Sequence, residues 1–432
     1  MFKQEKNLLE ELTRDKDVLF FLIVTLLSIM VRISGREMIT GDFYAFLTWY
    51  DTLKASGGIA GLANTTGDYS VLFQTILAFL TYIPVNVVYL LKFIFAFIDY
   101  PLALMAAATV CHMKKQKRFG TCFNMVYALV IFMPTVIINA AFWGQCDSIY
   151  TFFCLLTLFY LYKGGYKRAF LFLGIAFAFK LQTVFILPFV VVYYIWKKDF
   201  SILHFAITGA VFWLSGIIAY LQGRGAGAAV DMYAGQAAMF PRMWMNFTSF
   251  WMIFGNDYQT FGTVALITAL TVCGIGLYAV MSGYKDMKTG ESFLNTCVWF
   301  AWAMLLFLPE MHERYSFILD IMLVMLCFFD TKYIKFAALS LFLSLLSYGT
   351  FLVTGNYVIG STHAMVYTGA WIWYSYMIVK KDMQNKNELE TVLETVSETK
   401  SETLIEADEE TVEEPETVEG PEETAAENSD KN

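Results

Sequence analysis

Apolar residues fall in blocks of roughly 14 to 27 positions, separated by short polar or charged stretches, from Asp17 to Val379. About 20 apolar residues in a helix cross the hydrocarbon core of a bilayer. Only helices or closed barrels satisfy their backbone groups there, and the chain lacks the alternation that strands require. The pattern therefore predicts an all-α polytopic membrane protein with about twelve spans: 17–35, 86–112, 121–138, 148–163, 167–180, 182–196, 201–222, 259–283, 292–308, 315–330, 333–353 and 363–379. The first block is too long for the apolar core of a signal peptide and reads as a span. The short fifth and sixth read as a tight hairpin turning at Lys180-Leu181-Gln182.

Between the blocks, Lys and Arg alternate in density. One set of loops holds Lys3, Lys6, Arg14 and Lys16, then Lys114 to Arg118, Lys163 to Arg168, Lys197 and Lys198, Lys285 and Lys288, Lys332 and Lys335, and Lys380 and Lys381. The other set holds only Arg36, Lys54, Arg224, Arg242 and Arg314. The positive-inside rule then places both termini in the cytoplasm. The two long loops, 36–85 and 223–258, lie on the opposite face of a cell membrane. Two amphipathic stretches in the first, about 43–55 and 70–83, predict helices lying at the interface.

Mean hydropathy is +0.53 and 57% of residues are hydrophobic, which agrees with that class. The formal charge of −8 is unevenly spread. Residues 382–432 carry 18 Asp and Glu against Lys386, Lys400 and Lys431, a net of −15, so the remainder carries +7. The division is a membrane domain, 1–380, and an acidic tail, 381–432. The tail has no aromatics and is expected to be disordered. Nothing in the charge pattern suggests nucleic acid. The seven cysteines show no metal-site or disulfide spacing, and read as small hydrophobes.

The dense polar motifs sit in the sparsely charged loops. Asp42, in Gly41-Asp42-Phe43-Tyr44, precedes an amphipathic helix and suits both an N-cap and a catalytic carboxylate. Asp68 repeats the Gly-Asp pattern, as a cap or as a group that orients an acceptor or binds a cation. Trp143, Gln145 and Asp147 suit a sugar, with the indole stacked on the ring and the amide and carboxylate on hydroxyls; an aromatic-belt Trp with a capping Asp is the alternative. Lys180 and Gln182 stand at the hairpin tip. A lysine in such apolar surroundings either binds an anion or snorkels to the interface. His312-Glu313-Arg314-Tyr315 offers bidentate phosphate recognition through Arg314, or an interfacial anchor. Arg32 lies near the outer end of its span and is a further candidate for a phosphate. Lys92 and Asp99, seven apart on one helix face, read as a structural pair.

Taken in order, Gly41-Asp42, Gly67-Asp68-Tyr69, Trp143-Gly144-Gln145-Cys146-Asp147-Ser148, Phe179-Lys180-Leu181-Gln182 with Pro188, and Met311-His312-Glu313-Arg314-Tyr315 resemble the motifs of GT-C-type membrane glycosyltransferases. The resemblance is to bacterial relatives of the second mannosyltransferase of GPI-anchor synthesis. It implies a GT-C fold and inverting transfer from a polyprenyl-phosphate sugar without fixing the sugar; a hexose of the mannose or glucose class, moved to a glycan or lipid-linked acceptor outside the cytoplasm, is the expectation. It makes Asp42 the general base. It puts His312 and Arg314 near the donor phosphate, where Lys180 and Arg32, read from the residues themselves, are further candidates. From the residues, Asp68, Trp143, Gln145, Asp147, Gln182, Glu313 and Tyr315 are the candidates for sugar or acceptor. Arg314 stands where the eukaryotic motif has lysine. No cofactor is required, although the outer acids leave room for a divalent metal. A polytopic transporter or flippase of a lipid-linked or sugar substrate is the competing reading.

Overall fold

The computed structural model describes Glu5 and residues 15–117, 119–354 and 359–409, and it is mostly helical with almost no strand. The chain divides into two compact units, Met1–Val379 and Lys380–Asn432. In the first, helix α1 (Lys16–Ser34) is followed by α2 (Gly41–Ala55) and α3 (Val71–Leu80), then by the long α4 (Val87–Met113). Helices α5 (Thr121–Ile131), α6 (Pro134–Ile137, continued as a π-helix over Ile138–Trp143), α7 (Asp147–Tyr162) and α8 (Tyr166–Phe179) come next. A 3₁₀ turn at Leu181–Ile186 leads into α9 (Leu187–Lys197). Then come α10 (His204–Leu214), α11 (Ile217–Leu221), α12 (Ala228–Met239), α13 (Tyr258–Met281), α14 (Gly290–Phe307), α15 (Phe317–Leu326), α16 (Ile334–Gly349) and α17 (Ser361–Glu409).

Among the described residues, four helical segments are long and apolar enough to cross a membrane: Lys16–Ser34, Val87–Met113, Tyr258–Met281 and Thr331–Val353. A fifth counts if Thr121–Ile131 and Pro134–Trp143, bent by 52°, form one broken span. That bend has a clear cause, since Pro134 offers no N–H and its ring excludes a continuous helix through Met133. The apolar block 201–222 is likewise divided, into α10 and α11 at Ser215-Gly216. Its fellow short segments, including Val71–Leu80 and Phe317–Leu326, hold 10–17 residues each.

The largest core cluster is built on α4, α5, α7, α14 and α15. On α15 every residue from Phe317 to Leu326 is buried. A second cluster packs α2 and α3 together. Phe43, Phe46, Tyr50 and Leu53 form the buried stripe of α2, at spacings of three and four. Neither acid of the Gly-Asp motifs caps its helix. Thr40 caps α2, accepting from the Phe43 amide at 3.2 Å, and Ser70 caps α3, accepting from Phe73 at 3.3 Å. Each cap lies where its hydroxyl can reach a first-turn amide, and this leaves both carboxylates free for other contacts.

In the second unit the backbone is helical through Glu409, where acidic composition pointed to disorder. Glu, Lys, Gln and Leu are all strong helix formers, so helical backbone does not need a buried core here. Residues 410–432 of the tail lie outside the described set, as do residues 1–4 and 6–14 and Arg118.

Candidate functional site

Two glycines shape the approach to the site. Gly144 ends the π-helix at φ +80°, and a Cβ there would fall 2.4 Å from the Phe43 ring. The turn lets the Gln145 amide donate to the Asn139 carbonyl at 2.8 Å and aims the Gln145 side chain at α2. Gly67, at φ +74°, lies against Trp49, whose ring would be 2.3 Å from a Cβ. On the far side, Trp244-Met245 and Met311-His312 form a two-residue parallel ladder, and the Glu310 amide donates to the Arg242 and Met243 carbonyls. The ladder ties the His312-Glu313-Arg314 segment to the second long loop.

These elements surround a cavity of about 420 Å³. Asp42, 28% exposed at its side chain, stands in its wall. Its Oδ2 accepts from Gln145 Nε2 at 2.7 Å, the Trp143 indole N–H at 3.1 Å and Arg314 Nη1 at 3.3 Å. Among the described residues no donor reaches Oδ1. The carboxylate is thus fixed through one oxygen and open through the other. Gln145 is oriented in turn by the Tyr69 hydroxyl, which donates to its Oε1 at 2.8 Å.

Arg314 is the hub. Its Nη1 donates to Glu313 Oε1 at 2.9 Å as well as to Asp42, its Nε lies 3.7 Å from Asp147 Oδ2, and its guanidinium lies 5.6 Å from the Trp143 ring centre. Burial works against its charge, but the carboxylates of Glu313, Asp42 and Asp147 outweigh it and hold it protonated. For Glu313, burial raises the pKa, yet the His312 ring 3.8 Å away and the Arg314 charge outweigh it and hold the carboxyl below its usual range. Lys180 forms the next link. It stands where α8 breaks into the 3₁₀ turn, with extended backbone (φ −152°), and its ammonium binds Asp147 Oδ1. Asn139 Nδ2 holds the other Asp147 oxygen at 2.7 Å.

The cavity is lined by Asp42, Asp68, Gln145, Lys180, Gln182, His312, Glu313, Arg314 and Tyr315, so nine of the twelve residues singled out from the sequence converge there. Three do not line it. Trp143 is fully buried, stacked on Phe351 at 4.9 Å with Tyr348 edge-on at 5.1 Å. It holds Asp42 and presents no face to a sugar. Asp147 is 1% exposed and serves as the buried counter-ion of Lys180. Arg32 is the third, and it belongs to a separate pair. Its Nε and Nη2 grip Asp99 at 2.9 Å, its Nη2 also donates to the Ile131 carbonyl at 2.9 Å, and Ser148 closes the other Asp99 oxygen at 2.5 Å. The pairing of Lys92 with Asp99 is corrected by the same contact. Lys92 donates instead to the Ala141 and Phe142 carbonyls, at 2.9 and 2.7 Å.

The structure adds residues that the motifs missed. Arg242 lines the cavity, exposed, with no acidic partner among the described residues. Glu310 lines it too, and burial pushes its carboxyl up to about 7. Burial also raises Asp68, opposed by its own amide and by Arg314 and His312. Phe46, Trp49, Tyr69, Phe179 and Phe240 supply an aromatic wall. Among the described residues, no three His, Cys, Asp or Glu side chains gather closely enough to hold a metal ion. The donor set is built for hydrogen bonding and ion pairing. No protein-family model matches the chain, and no match to a curated protein is found.

Proposed function

We propose that the chain is a GT-C-type membrane glycosyltransferase that moves a hexose, with inversion, from a polyprenyl-phosphate sugar to a hydroxyl of a glycan or lipid-linked acceptor. The observation that carries this reading is the Asp42 carboxylate, held through Oδ2 by three donors with Oδ1 left to the cavity, beside cavity-lining cations. The full reading has about twelve spans, both termini in the cytoplasm and the cavity on the opposite face.

The acceptor hydroxyl attacks the anomeric carbon from the face opposite the phosphate. Asp42 Oδ1 takes the hydroxyl proton as the new C–O bond forms. The bond from the anomeric carbon to the phosphate oxygen breaks, its electron pair stays on that oxygen, and polyprenyl phosphate leaves. Positioned general-base catalysis of this kind contributes roughly 10²- to 10⁴-fold. The growing negative charge on the phosphate needs preorganised cations and donors. Arg242 is suited to it because no carboxylate among the described residues claims it, with His312 on the adjoining ladder. Arg314 and Lys180 already face Asp42, Glu313 and Asp147, so their first work is to hold the carboxylates in place. The aromatic wall suits the apolar face of a pyranose and the first prenyl units.

The test uses the full chain in lipid nanodiscs, a panel of radiolabelled polyprenyl-phosphate hexoses, and octyl mannoside and octyl glucoside as acceptors. Transfer by the wild type that is lost in Asp42→Asn supports the reading. Near-normal transfer by the variant removes Asp42 as the base. Flux of substrate across sealed vesicles with no transfer replaces the reading by a transporter.

A further inference from the structure

A second cavity, of about 530 Å³, adjoins the first. Its wall comes from the two long loops, through Thr65 and Asp68 on one side and Arg224, Asp231, Gly235 and Gln236 on the other. Asp68 and Gln236 line both cavities, and the Gln236 side-chain amide donates to the Asp68 carbonyl. Helix α12 therefore forms the partition, with Tyr233 toward the first cavity and Asp231 and Gly235 toward the second.

The two linings differ in kind. The first carries aromatic rings and cations. The second has no aromatic ring among its described lining residues, and glycines at 67, 223, 225 and 235 leave main chain exposed along its wall. It sets two carboxylates, Asp68 and Asp231, against one cation, Arg224, which feels the Asp231 charge. Arg224 is itself fixed, donating to Gln74 Oε1 at 2.9 Å and to Thr65 Oγ1 at 3.1 Å. Where the cavities meet, Asp68 Oδ1 is buried without a hydrogen-bond partner among the described residues. A buried polar atom left unpaired is costly, which makes this oxygen a position for a ligand's donor.

A phosphate-bearing ligand is poorly served by an arginine already shared among Gln74, Thr65 and Asp231. A ligand rich in hydroxyls and without charge is well served, because carboxylates, a fixed guanidinium and bare main chain all pair with hydroxyls. We infer that the second cavity is a binding site for the hydroxyl-rich, uncharged glycan end of the acceptor, which reaches Asp42 past Asp68. The inference rests on the glycosyltransferase reading for the acceptor's role, and on the cavity alone for the binding of a glycan.

Gly235 provides the test. Gly235 lines the cavity and a Cβ built there meets nothing within 4 Å, so the position has open space for a side chain beside the cavity. In nanodiscs, Gly235→Trp is expected to raise the KM for octyl mannoside or octyl glucoside at least about tenfold, and to leave donor KM and the slow transfer of sugar to water within about twofold. Asp231→Asn is expected to move the same constant in the same direction. An unchanged acceptor KM in Gly235→Trp overturns the inference. A second readout needs no turnover. In Gly235→Cys, maleimide labelling of residue 235, followed by mass, is expected to slow with either octyl glycoside and to be unaffected by polyprenyl phosphate. Failure of both glycosides to protect overturns the inference, as does protection by polyprenyl phosphate. Protection by a glycoside in a protein that transfers from no polyprenyl-phosphate sugar leaves the glycan site standing and removes the reaction.

Discussion

Two arginine–aspartate pairs lie near the same end of the helix bundle, and they are built for opposite ends. Arg32 and Asp99 are 5% and 0% exposed, and Ser148 and the Ile131 carbonyl complete their hydrogen bonds. Nothing is left over. Arg314 and Asp42 make a looser contact, 3.3 Å through one nitrogen, and Asp42 keeps an oxygen free toward the cavity. The sealed pair satisfies two charges that lipid and protein would otherwise leave bare, and its worth is structural. The open pair keeps an acceptor oxygen available, which is what proton transfer requires. Charge alone does not distinguish the pairs; the completeness of the hydrogen bonding does.

The largest expected effect separates them by activity. Asp42→Asn should cut transfer roughly 10²- to 10⁴-fold while leaving the melting temperature near that of the wild type, in a single-turnover assay paired with thermal unfolding in nanodiscs. Asp99→Ala should do the reverse. Leaving Arg32 buried without its partner should destabilise the fold by about 3–5 kcal/mol, read as a lowered melting temperature and yield, whereas the paired change Arg32→Leu with Asp99→Leu should recover most of that loss. Recovery would show that the sealed pair has no chemical duty. Trp143→Phe should fall between. It keeps the buried ring and removes the N–H that Asp42 accepts, and a hydrogen bond to a charged group contributes about 1.5–3 kcal/mol, so a ten- to hundredfold loss in kcat with little change in donor KM is expected.

The smallest effect is a pH dependence at the cavity rim. The Glu310 carboxyl is held up to about 7 by burial, from an ordinary 4.5. Between those values the folded chain binds more protons than the unfolded chain. This group's contribution to stability is therefore undiminished below about 4.5, falls as pH rises, and is fully lost above about 7. Glu310→Gln should remove that part of the slope, read from melting temperatures across the window. The same variant should blunt any loss of donor affinity above pH 7, because a carboxylate formed in the cavity lining opposes an incoming phosphate.

Much of this site is legible in the sequence, and the reason is local. Short motifs such as Gly41-Asp42 and His312-Glu313-Arg314-Tyr315 combine polar residues with helix ends, and polar groups beside apolar spans have few places to go. What was not legible depended on distance along the chain. Arg32 looked free because Asp99, its partner, lies 67 residues on. Lys92 looked like that partner because the two share a helix face, but its ammonium reaches the carbonyls of the π-helix turn. Trp143 looked like a sugar platform because its burial against Phe351 and Tyr348 depends on a helix some two hundred residues later. Arg242 and Glu310 carried no motif. They acquire meaning through a two-residue ladder that joins segments whose sequences show no strand pattern. Helix caps misled for a smaller reason: Thr40 and Ser70 lie two residues from each acid, and the shorter hydroxyl side chains took the amides.

The central claim is that one open carboxylate takes the acceptor's proton in a single displacement. It is tested most directly by the anomeric configuration of the product, read by NMR from a donor of known configuration. The account predicts the opposite configuration in the product. A retained configuration would contradict it, because retention needs a second, covalent role that a lone base at Asp42 does not provide.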